Sequence, residues 1–562
     1  MNITEEKLTK LLTEIERVRR RKIVDFRTAT NIEYIDTGQH LEKIAIKNNH
    51  LIFGRRGSGK TTLIIAALRE NKKDIVAAID IQPIKNYDKA EIIIEIMIKT
   101  FNELYSYFLK VFDITEQNYN RQYKGLSGLY HIILKKQNKD IKEQYNDANQ
   151  FKSFLLKQIE LLVALKDKPN VVTYAVTLED KQTNEDTQKT SSKESIAASL
   201  DLGVGVQANY KILSGKINTN INILNSIEFE STSISNSKSS SNVKASYERT
   251  FRKIDVLKEQ RESIAFIFNE LKRINKNSVI VYLDDFYQIP VENQPEIIQY
   301  FHDIYKYCSD DSFCFKLSLL PYRVRMNIPG NVDMSYKDDF SLIKLDNDLS
   351  EIATAKEYLL SILSSLNSAS DISKNDILSL FSNEEVLLFA IIATGGVPRD
   401  FLSMFAQLVA NARSDNEEKI KKEHVYTVVK TLREDKDNNI ETDSDISAEK
   451  IREAVEILTS QVIEKLKTNV ILYPKGLAEK KHELLLKNLV NLRYLHVIKD
   501  STSSETRKKE EFVAYLVDMS FYAVNKRLRT GFDFRRFWET DNSSRLTQLR
   551  QSRIWSFPDD FI

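Results

Sequence analysis

The sequence has few of the residues that build covalent or metal-bound frameworks. Its 562 residues include only two cysteines, Cys308 and Cys314, and seven scattered histidines, which excludes a disulfide scaffold and gives no zinc-binding spacing. Long apolar runs are also missing, because the longest, from Val386 to Val397, covers about twelve residues, whereas a membrane helix needs about twenty. The charged N-terminus lacks the apolar core of a signal peptide. These absences predict a cytoplasmic protein with no membrane partner.

Net charge is small as well, but it is unevenly distributed. The chain has 82 Lys and Arg against 80 Asp and Glu, which leaves a formal charge of +2. Residues 446–562 alone carry 21 basic and 16 acidic residues, or +5. With 42% hydrophobic and 29% charged residues, the composition is typical of a soluble globular protein. The length suggests roughly three to five domains.

A phosphate-binding loop is predicted between a short apolar strand at 51–53 and a helix at 62–68. Its residues fit the pattern G-x-x-x-x-G-K-[ST], followed by Thr62: Gly54, Arg55, Arg56, Gly57, Ser58, Gly59, Lys60 and Thr61. The glycines let backbone N–H groups curl around phosphates, and the helix N-terminus adds partial positive charge. Lys60 would reach the β- and γ-phosphates of ATP, and Thr61 would ligate Mg²⁺.

A second acidic element completes the predicted magnesium site. The β-branched run from Val279 to Leu283 reads as a buried strand, and Asp284 and Asp285 follow it directly. A carboxylate at the end of a neighbouring strand is what a phosphate-binding loop needs to hold Mg²⁺. We therefore expect Asp284 to hold the metal and Asp285 to orient or deprotonate the attacking water. The short Asp285 side chain would suit slow hydrolysis.

These motifs resemble the origin-recognition-type (ORC/CDC6-like) AAA+ ATPases of prokaryotes, a clade that groups near the STAND signalling ATPases. Gly396-Val397-Pro398-Arg399 matches the clade's second sensor, whose arginine, here Arg399, contacts the γ-phosphate from the lid. The resemblance also implies that Ser318 is a first sensor and that 34–44 cradles adenine. Of Arg323 and Arg325, one would be an arginine finger or the STAND-type arginine that follows this strand, or both would solvate a loop.

The resemblance implies an α/β fold class: a P-loop AAA+ ATPase core with a helical lid, a large α+β insertion and a C-terminal winged-helix-like domain. The wing would be the loop 500–510, with its basic residues Arg507, Lys508 and Lys509. An acidic stretch, 434–445, is predicted to be a linker. The expected boundaries are an N-terminal helix over 1–30, an ATPase domain over 31–345 interrupted by the insertion 100–250, a lid over 346–435, the winged-helix-like domain over 445–525 and a basic, aromatic tail over 526–562.

The insertion and the tail each allow more than one interpretation. Alternating apolar residues over 200–224 predict a β-hairpin, which could pack on the core, form a subunit interface, recognise another protein or, as a pair of minimal length, enter a bilayer. A Ser-rich loop follows at 231–242. The tail interleaves eight basic residues of 526–553 with aromatic ones. That pattern suits nucleic acid, and it equally suits a helix docked on the body of the protein.

Three functions follow from these predictions. The first is an ATP-binding and slowly hydrolysing AAA+/STAND-like switch that forms homo-oligomers and contacts DNA, with prokaryotic anti-phage defence as its setting. The second is a replication-initiator or transposition-type DNA-binding ATPase. The third is a non-enzymatic, nucleotide-bound scaffold that recruits an effector protein. The Lys-, Asn- and Ile-rich composition suggests an AT-rich, bacterial genome.

Overall fold

A computed structural model describes most of the chain. The described residues are 2–19, 26, 33–123, 138–177, 213–218, 220, 246–309, 311–321, 323–327, 334–346, 349–366, 372–438, 440, 446–522, 532–533, 535–536 and 542–561. The strands are β1 (His50–Phe53), β2 (Ile75–Asp80), β3 (Val171–Thr177), β4 (Ser246–Arg252), β5 (Val279–Asp284), β6 (Phe313–Leu319), β7 (Ser341–Lys344), β8 (Val470–Pro474), β9 (Leu495–Thr502), β10 (Phe512–Val517) and β11 (Arg553–Ile554). The helices are α1 (Glu6–Arg19), α2 (His40–Ala45), α3 (Lys60–Glu70), α4 (Lys89–Tyr123), α5 (Asn138–Lys166), α6 (Lys253–Asn275), α7 (Gln294–Tyr307), α8 (Ile352–Ser365), α9 (Lys374–Ser379), α10 (Glu384–Ala393), α11 (Pro398–Ser414), α12 (Lys422–Asn438), α13 (Ala448–Ile457), α14 (Leu477–Asn491) and α15 (Asn542–Arg550).

The core is a parallel five-stranded sheet in the order β2-β5-β6-β1-β7. Every residue of β5 and β6 is buried, as expected for central strands that helices cover on both faces. In β5, Val279, Val281 and Leu283 point to one face, and Ile280 and Tyr282 point to the other. Because the strands are parallel, their carboxyl ends share one edge, and the loop after β1 lies beside the end of β5.

The insertion is built from two long helices and a strand pair. Helices α4 and α5 pack against each other through aromatic residues, with the ring centroids of Phe108 and Phe151 4.9 Å apart. Strands β3 and β4 form an antiparallel pair that joins this unit to α6. The strand β4 was not predicted from the sequence. Its partner β3 is far away in sequence, so the pairing leaves no local signal.

The predicted hairpin over 200–224 is wrong where the structure describes it, because residues 213–218 form a short helix. Leu213 and Ile217 are buried in the main core, and their spacing of four residues places both on one face of a helix. Helical packing therefore overrides the alternating pattern at this point. The remainder of the hairpin, apart from residue 220, and the Ser-rich stretch 231–242 lie outside the described residues.

The lid consists of helices α8 to α12, and the N-terminal helix α1 packs on it. Ile3, Leu8, Leu11 and Ile15 belong to the same apolar cluster as the lid helices, and Arg413 of α11 donates to the carbonyl of Ile3 at 2.9 Å. The predicted linker is wrong over its first residues, since α12 continues to Asn438. An ion pair between Arg433 and Asp437 at 2.9 Å supports this extra turn.

The C-terminal domain carries a four-stranded sheet in the order β11-β8-β10-β9. Helix α13 continues into a π-helical turn over Leu458–Lys465, and α14 precedes β9. The chain end adds β11 to the sheet, and Trp555 donates from its indole to Gln461 at 3.0 Å. Phe557 lies beside Trp555, with ring centroids 4.7 Å apart. The last residues of the tail are therefore part of this domain.

Several basic residues of the tail are engaged by the body of the protein. Arg545 is buried, and Arg536 forms an ion pair with Glu385 of the lid at 3.3 Å. Arg550 and Arg553 are exposed, while Lys526, Arg527 and Arg529 lie outside the described residues. For the described part of the tail, these contacts favour docking on the body. In the part of the chain that the structure describes, no helix has the length and apolar character needed to cross a bilayer.

Candidate nucleotide site

The phosphate-binding loop predicted from the sequence lies between β1 and α3. Gly57 and Gly59 have φ angles of 90° and 98°, in the left-handed region that glycine adopts without strain. A side chain at Gly57 would also collide with the lid, since a Cβ there would lie 2.8 Å from the Cβ of Arg399. The loop needs glycine at this position for both its backbone conformation and its contact with the lid.

Lys60 begins α3 and curls back over the loop. Its Nζ donates to the carbonyl of Gly54 at 2.7 Å and to that of Arg55 at 3.1 Å. Burial lowers the pKa of Lys60, an effect that the nearby carboxylates of Asp346, Asp285 and Asp284 oppose. A phosphate group would offer the ammonium a charged partner in place of these carbonyl oxygens.

Thr61, Asp284 and Ser318 meet at the carboxyl edge of the sheet. The hydroxyl of Thr61 donates to one oxygen of Asp284 at 2.6 Å, and the hydroxyl of Ser318 donates to the other at 2.7 Å. Burial and the adjacent Asp285 raise the pKa of Asp284 to about 6. A buried carboxylate with an adjacent carboxylate and a hydroxyl ligand fits a hard divalent cation, which would stabilise its charged form.

Asp285 is held in a strained but well-supported position. Its φ is 53°, a left-handed conformation that is uncommon for a residue other than glycine. Its N–H donates to Asp284 at 3.0 Å and to the hydroxyl of Ser318 at 3.1 Å. Gln288 donates from its amide to the Asp285 carboxylate at 2.9 Å. These contacts direct the side chain into the cavity that Asp285 lines.

One cavity of about 670 Å³ collects these groups between the core and the lid. Its apolar and aromatic lining includes Tyr34 and Ile35 together with Tyr358, Ile362 and Leu366 of the lid. The lining also includes predicted site residues: Arg56, Gly57, Gly59, Lys60, Thr61, Thr62, Asp284, Asp285 and Arg399. A cavity that combines apolar side chains with a phosphate-binding loop suits a nucleotide.

The lid contributes Arg399 at the start of α11. Pro398 is the first residue of that helix, a position that suits proline because the first-turn N–H has no helical partner. The N–H of Arg399 donates to the carbonyl of Gly57 at 3.3 Å. The lid therefore touches the phosphate-binding loop directly, and the Arg399 side chain faces the same cavity as Lys60.

The chain shows distant similarity to solved structures. No protein-family model and no curated protein matches the sequence. Among solved structures, the chain is similar to the Aeropyrum pernix ORC2 protein in its ADPNP–ADP complexes, with 11% identity and a TM-score of 0.33 over 94% of this chain and 97% of that one. It is also similar to Thermotoga maritima RuvB variants, one with 11% identity and a TM-score of 0.22 over 47% of this chain and 73% of that one. Another has 10% identity and a TM-score of 0.21 over 47% and 82%.

The TM-scores are low, so the fold assignment rests on the chain's own topology. The loop strand β1 lies between β6 and β7, and the strand that ends in Asp284 is the next one beyond β6. The lid closes over the carboxyl edge. The core has the fold of a P-loop AAA+ ATPase. The predicted fold class, with helical lid, insertion and C-terminal domain, is confirmed.

The remaining predicted residues of this ATPase fold lie behind the cavity or away from it. Ser58 is buried, and its hydroxyl has no hydrogen-bond partner among the described residues. Ser318 touches the cavity only through Asp284 and Asp285. Arg323 and Arg325 do not line the cavity, and the N–H of Arg325 donates to Gln294 at 3.0 Å.

The sequence did not identify two contacts of the phosphate-binding loop. The carboxylate of Asp346, just after β7, accepts from the N–H of Arg55 at 3.0 Å and from its guanidinium at 3.2 Å. The same guanidinium donates to the carbonyl of Gly395 in the lid at 2.8 Å. Arg55 occupies a variable position of the motif, so the pattern carries no signal for a role that depends on tertiary contacts.

Proposed function

We propose that this protein is an ATP-binding, Mg²⁺-dependent and slowly hydrolysing molecular switch. The observation that carries the proposal is the convergence of groups from three parts of the fold on one cavity. Lys60 and Thr61 come from the loop, Asp284 and Asp285 from the end of β5, and Arg399 from the lid. A ligand that contacts all of them bridges core and lid, so its γ-phosphate can control how the two are held together.

Each group has a role in this proposal. Lys60 binds the β- and γ-phosphates, and Arg399 binds the γ-phosphate from the lid side. Thr61 and Asp284 would hold Mg²⁺, which when bound neutralises charge on the phosphate oxygens. The buried hydroxyl of Ser58 is a further donor within the loop. The hydroxyl of Ser318 donates to the carboxylate of Asp284 and accepts from the N–H of Asp285, so it holds these two residues in place.

Hydrolysis of ATP to ADP and phosphate would use Asp285 to orient the attacking water. Gln288 fixes the Asp285 carboxylate at 2.9 Å, which limits the rotamers from which it can accept a proton. The Asp285 side chain is shorter than that of a glutamate, so its carboxylate is less favourably placed to contact the attacking water. A slow reaction suits a switch, because the ATP-bound state then lasts long enough to act on a partner.

We extend the proposal to homo-oligomerisation and DNA contact, with prokaryotic anti-phage defence as the setting and an effector protein as a further partner. The exposed residues Arg507, Lys508 and Lys509 between β9 and β10 support the DNA contact, which also serves the replication-initiator or transposition alternative. The non-enzymatic scaffold alternative retains nucleotide binding without turnover, so measured hydrolysis separates it from the switch.

The proposal is tested by removing the phosphate-binding ammonium. Lys60→Ala should weaken ATP binding by about 10- to 100-fold, the effect of losing a charged hydrogen bond, measured by titration with a fluorescent ATP analogue. Lys72→Ala serves as the control, because Lys72 is an exposed lysine in the segment after α3. Equal ATP affinity in the Lys60→Ala and wild-type proteins would refute the proposed site.

A further inference from the structure

The lid arginine lies between two cavities. Besides the nucleotide cavity, Arg399 lines a second cavity of about 220 Å³ between the lid and the C-terminal domain. Its backbone is tied to the phosphate-binding loop through Gly57, but its side chain is 41% exposed. The Arg399 guanidinium can therefore turn toward a phosphate in the nucleotide cavity or toward side chains in the second cavity. The charges of the neighbouring residues determine which orientation is favoured.

The closest competing charge is its own neighbour in the chain, Asp400. The Nε of Arg399 lies 4.0 Å from the Asp400 carboxylate, at the limit of an ion pair. The other oxygen of that carboxylate forms a close ion pair and hydrogen bond with Arg493. Asp400 thus stands between an arginine of the nucleotide site and an arginine of the C-terminal domain, and it is bound mainly by the second.

Arg493 is fixed in this position by the domain that carries it. It lies between α14 and β9 with a φ of 66°, and its carbonyl accepts from Lys436 of the lid at 3.1 Å. The ammonium of Lys436 also pairs with Asp518 at 2.6 Å. His496 completes the cluster with a 2.9 Å hydrogen bond to the same Asp518 oxygen. Moving the C-terminal domain away from the lid would therefore withdraw Arg493 from Asp400.

We infer that Arg493 is a positioning residue: it pairs with the Asp400 carboxylate and so leaves the Arg399 guanidinium available to the γ-phosphate. Without Arg493, the Asp400 carboxylate would compete with the phosphate for the Arg399 guanidinium. The position of the C-terminal domain would then set the ATP affinity, and by thermodynamic reciprocity ATP would set the position of that domain. The inference rests on the proposed function, because it assigns a role at the same site.

The test compares ATP with ADP binding, because a weaker hold on the γ-phosphate lowers the affinity for ATP alone. Arg493→Gln should lower ATP affinity by about 5- to 10-fold and leave ADP affinity within about twofold of wild type. In an Arg399→Gln background, Arg493→Gln should have no further effect on ATP affinity, because the group through which it acts is gone. Additive effects of the two substitutions would overturn the inference.

Two further variants distinguish positioning from loss of structure. Asp400→Asn combined with Arg493→Gln should restore ATP affinity, because no carboxylate is then left to compete. Arg433→Gln is the matched control: Arg433 stacks on Tyr494 at 5.1 Å and Phe521 at 4.4 Å at the same junction. It should leave the ratio of ATP to ADP affinity unchanged. Failure of the rescue, or an equal shift in the control, would overturn the role of Arg493.

The proposed function and this inference fail in different ways. If the wild-type protein binds no ATP, both are refuted. If it binds ATP and Lys60→Ala weakens that binding while Arg493→Gln binds ATP normally, the nucleotide site stands and the positioning role of Arg493 is refuted.

Discussion

Asp518 is a buried carboxylate whose charge is balanced at the junction between lid and C-terminal domain. It is 1% exposed and accepts from Lys436 and His496. Burial alone would raise its pKa, but the Lys436 ammonium and the His496 hydrogen bond hold the pKa of Asp518 well below the usual range. Because the Lys436 side chain is only 10% exposed, removing the Asp518 carboxylate would leave its buried charge without a counter-ion.

We therefore expect Asp518→Asn to destabilise the junction by about 3–5 kcal/mol, the usual cost of removing one partner of a buried pair. Chemical unfolding followed by tryptophan fluorescence would measure it, since Trp555 lies in the same domain. Glu417→Gln is the control, because Glu417 and Lys421 form an exposed pair at 2.7 Å that should be worth under about 1 kcal/mol. Equal effects of the two substitutions would contradict the buried-pair interpretation.

The pH dependence of the Asp518 contribution follows from the direction of its shift. A carboxyl group whose pKa is lower in the folded protein stabilises the fold above its unfolded pKa of about 3.9 and loses that stabilisation as pH falls through its folded pKa. The difference in stability between wild type and Asp518→Asn should thus be constant from about pH 8 to about pH 5 and shrink at lower pH. If the difference in stability disappeared near neutral pH, its pH dependence would have to come from another titratable group.

Residues that belong to a motif were predictable, and residues that act through tertiary contacts were not. The spacing of Lys60 and Thr61 follows from the geometry that a phosphate imposes, so the sequence alone predicted them as site residues, and the structure places both on the cavity that Asp284 lines. Asp346 and Arg493 have no such pattern. Each becomes relevant only because folding brings it to a partner far away in sequence, Arg55 or Asp400.

Among the elements, the central strands β5 and β6 were easier to predict than the edge strands β7 and β11. The runs that form β5 and β6 are apolar at most positions, because both faces of a central parallel strand are covered. The edge strand β7 has only one fully buried position, and β11 has two residues. Such strands exist because a neighbour offers hydrogen-bonding groups, so their own sequences carry a weak signal.

The loop between β9 and β10 is the element through which we expect DNA to be bound. Arg507, Lys508 and Lys509 are all exposed, and an ion pair of Arg507 with Glu510 at 3.4 Å is itself exposed. Replacing all three basic residues with glutamine should weaken binding to duplex DNA. It should also reduce the slope of log affinity against log salt by up to about 2.7, or about 0.9 for each phosphate that is no longer neutralised.

The matched control removes three exposed lysines from a different surface. Lys72, Lys73 and Lys276 precede β2 and β5 of the other sheet, so glutamine at these positions gives the same change in net charge without altering the loop. Fluorescence anisotropy with a labelled duplex, measured at several salt concentrations, gives both slopes. An equal fall in the two triple variants would show that net charge, and not this loop, governs the affinity.

At the scale of the whole molecule, polar contacts through the lid link the candidate nucleotide site to the C-terminal domain. The loop residue Arg55 bonds to Gly395 of the lid, and the lid residue Asp400 pairs with Arg493 of the C-terminal domain. Under the proposed switch, a change at the γ-phosphate would act on all three parts of the chain through these direct contacts. Under the proposed switch, the ATP-bound arrangement is the one that presents surfaces to neighbouring subunits.

Asp285→Asn tests whether the ATP-bound arrangement can form without hydrolysis. The amide keeps the size of the side chain and can still bond to Gln288, but it cannot accept a proton from water. We expect turnover to fall by about 10²–10⁴-fold, the usual contribution of a general base, while ATP binding persists. Mass photometry should then show that ATP with Mg²⁺ stabilises larger assemblies of Asp285→Asn than of the wild type, because the ATP state no longer decays. Unchanged turnover would exclude Asp285 from catalysis, and trapped ATP without any larger assembly would separate the ATPase from oligomerisation.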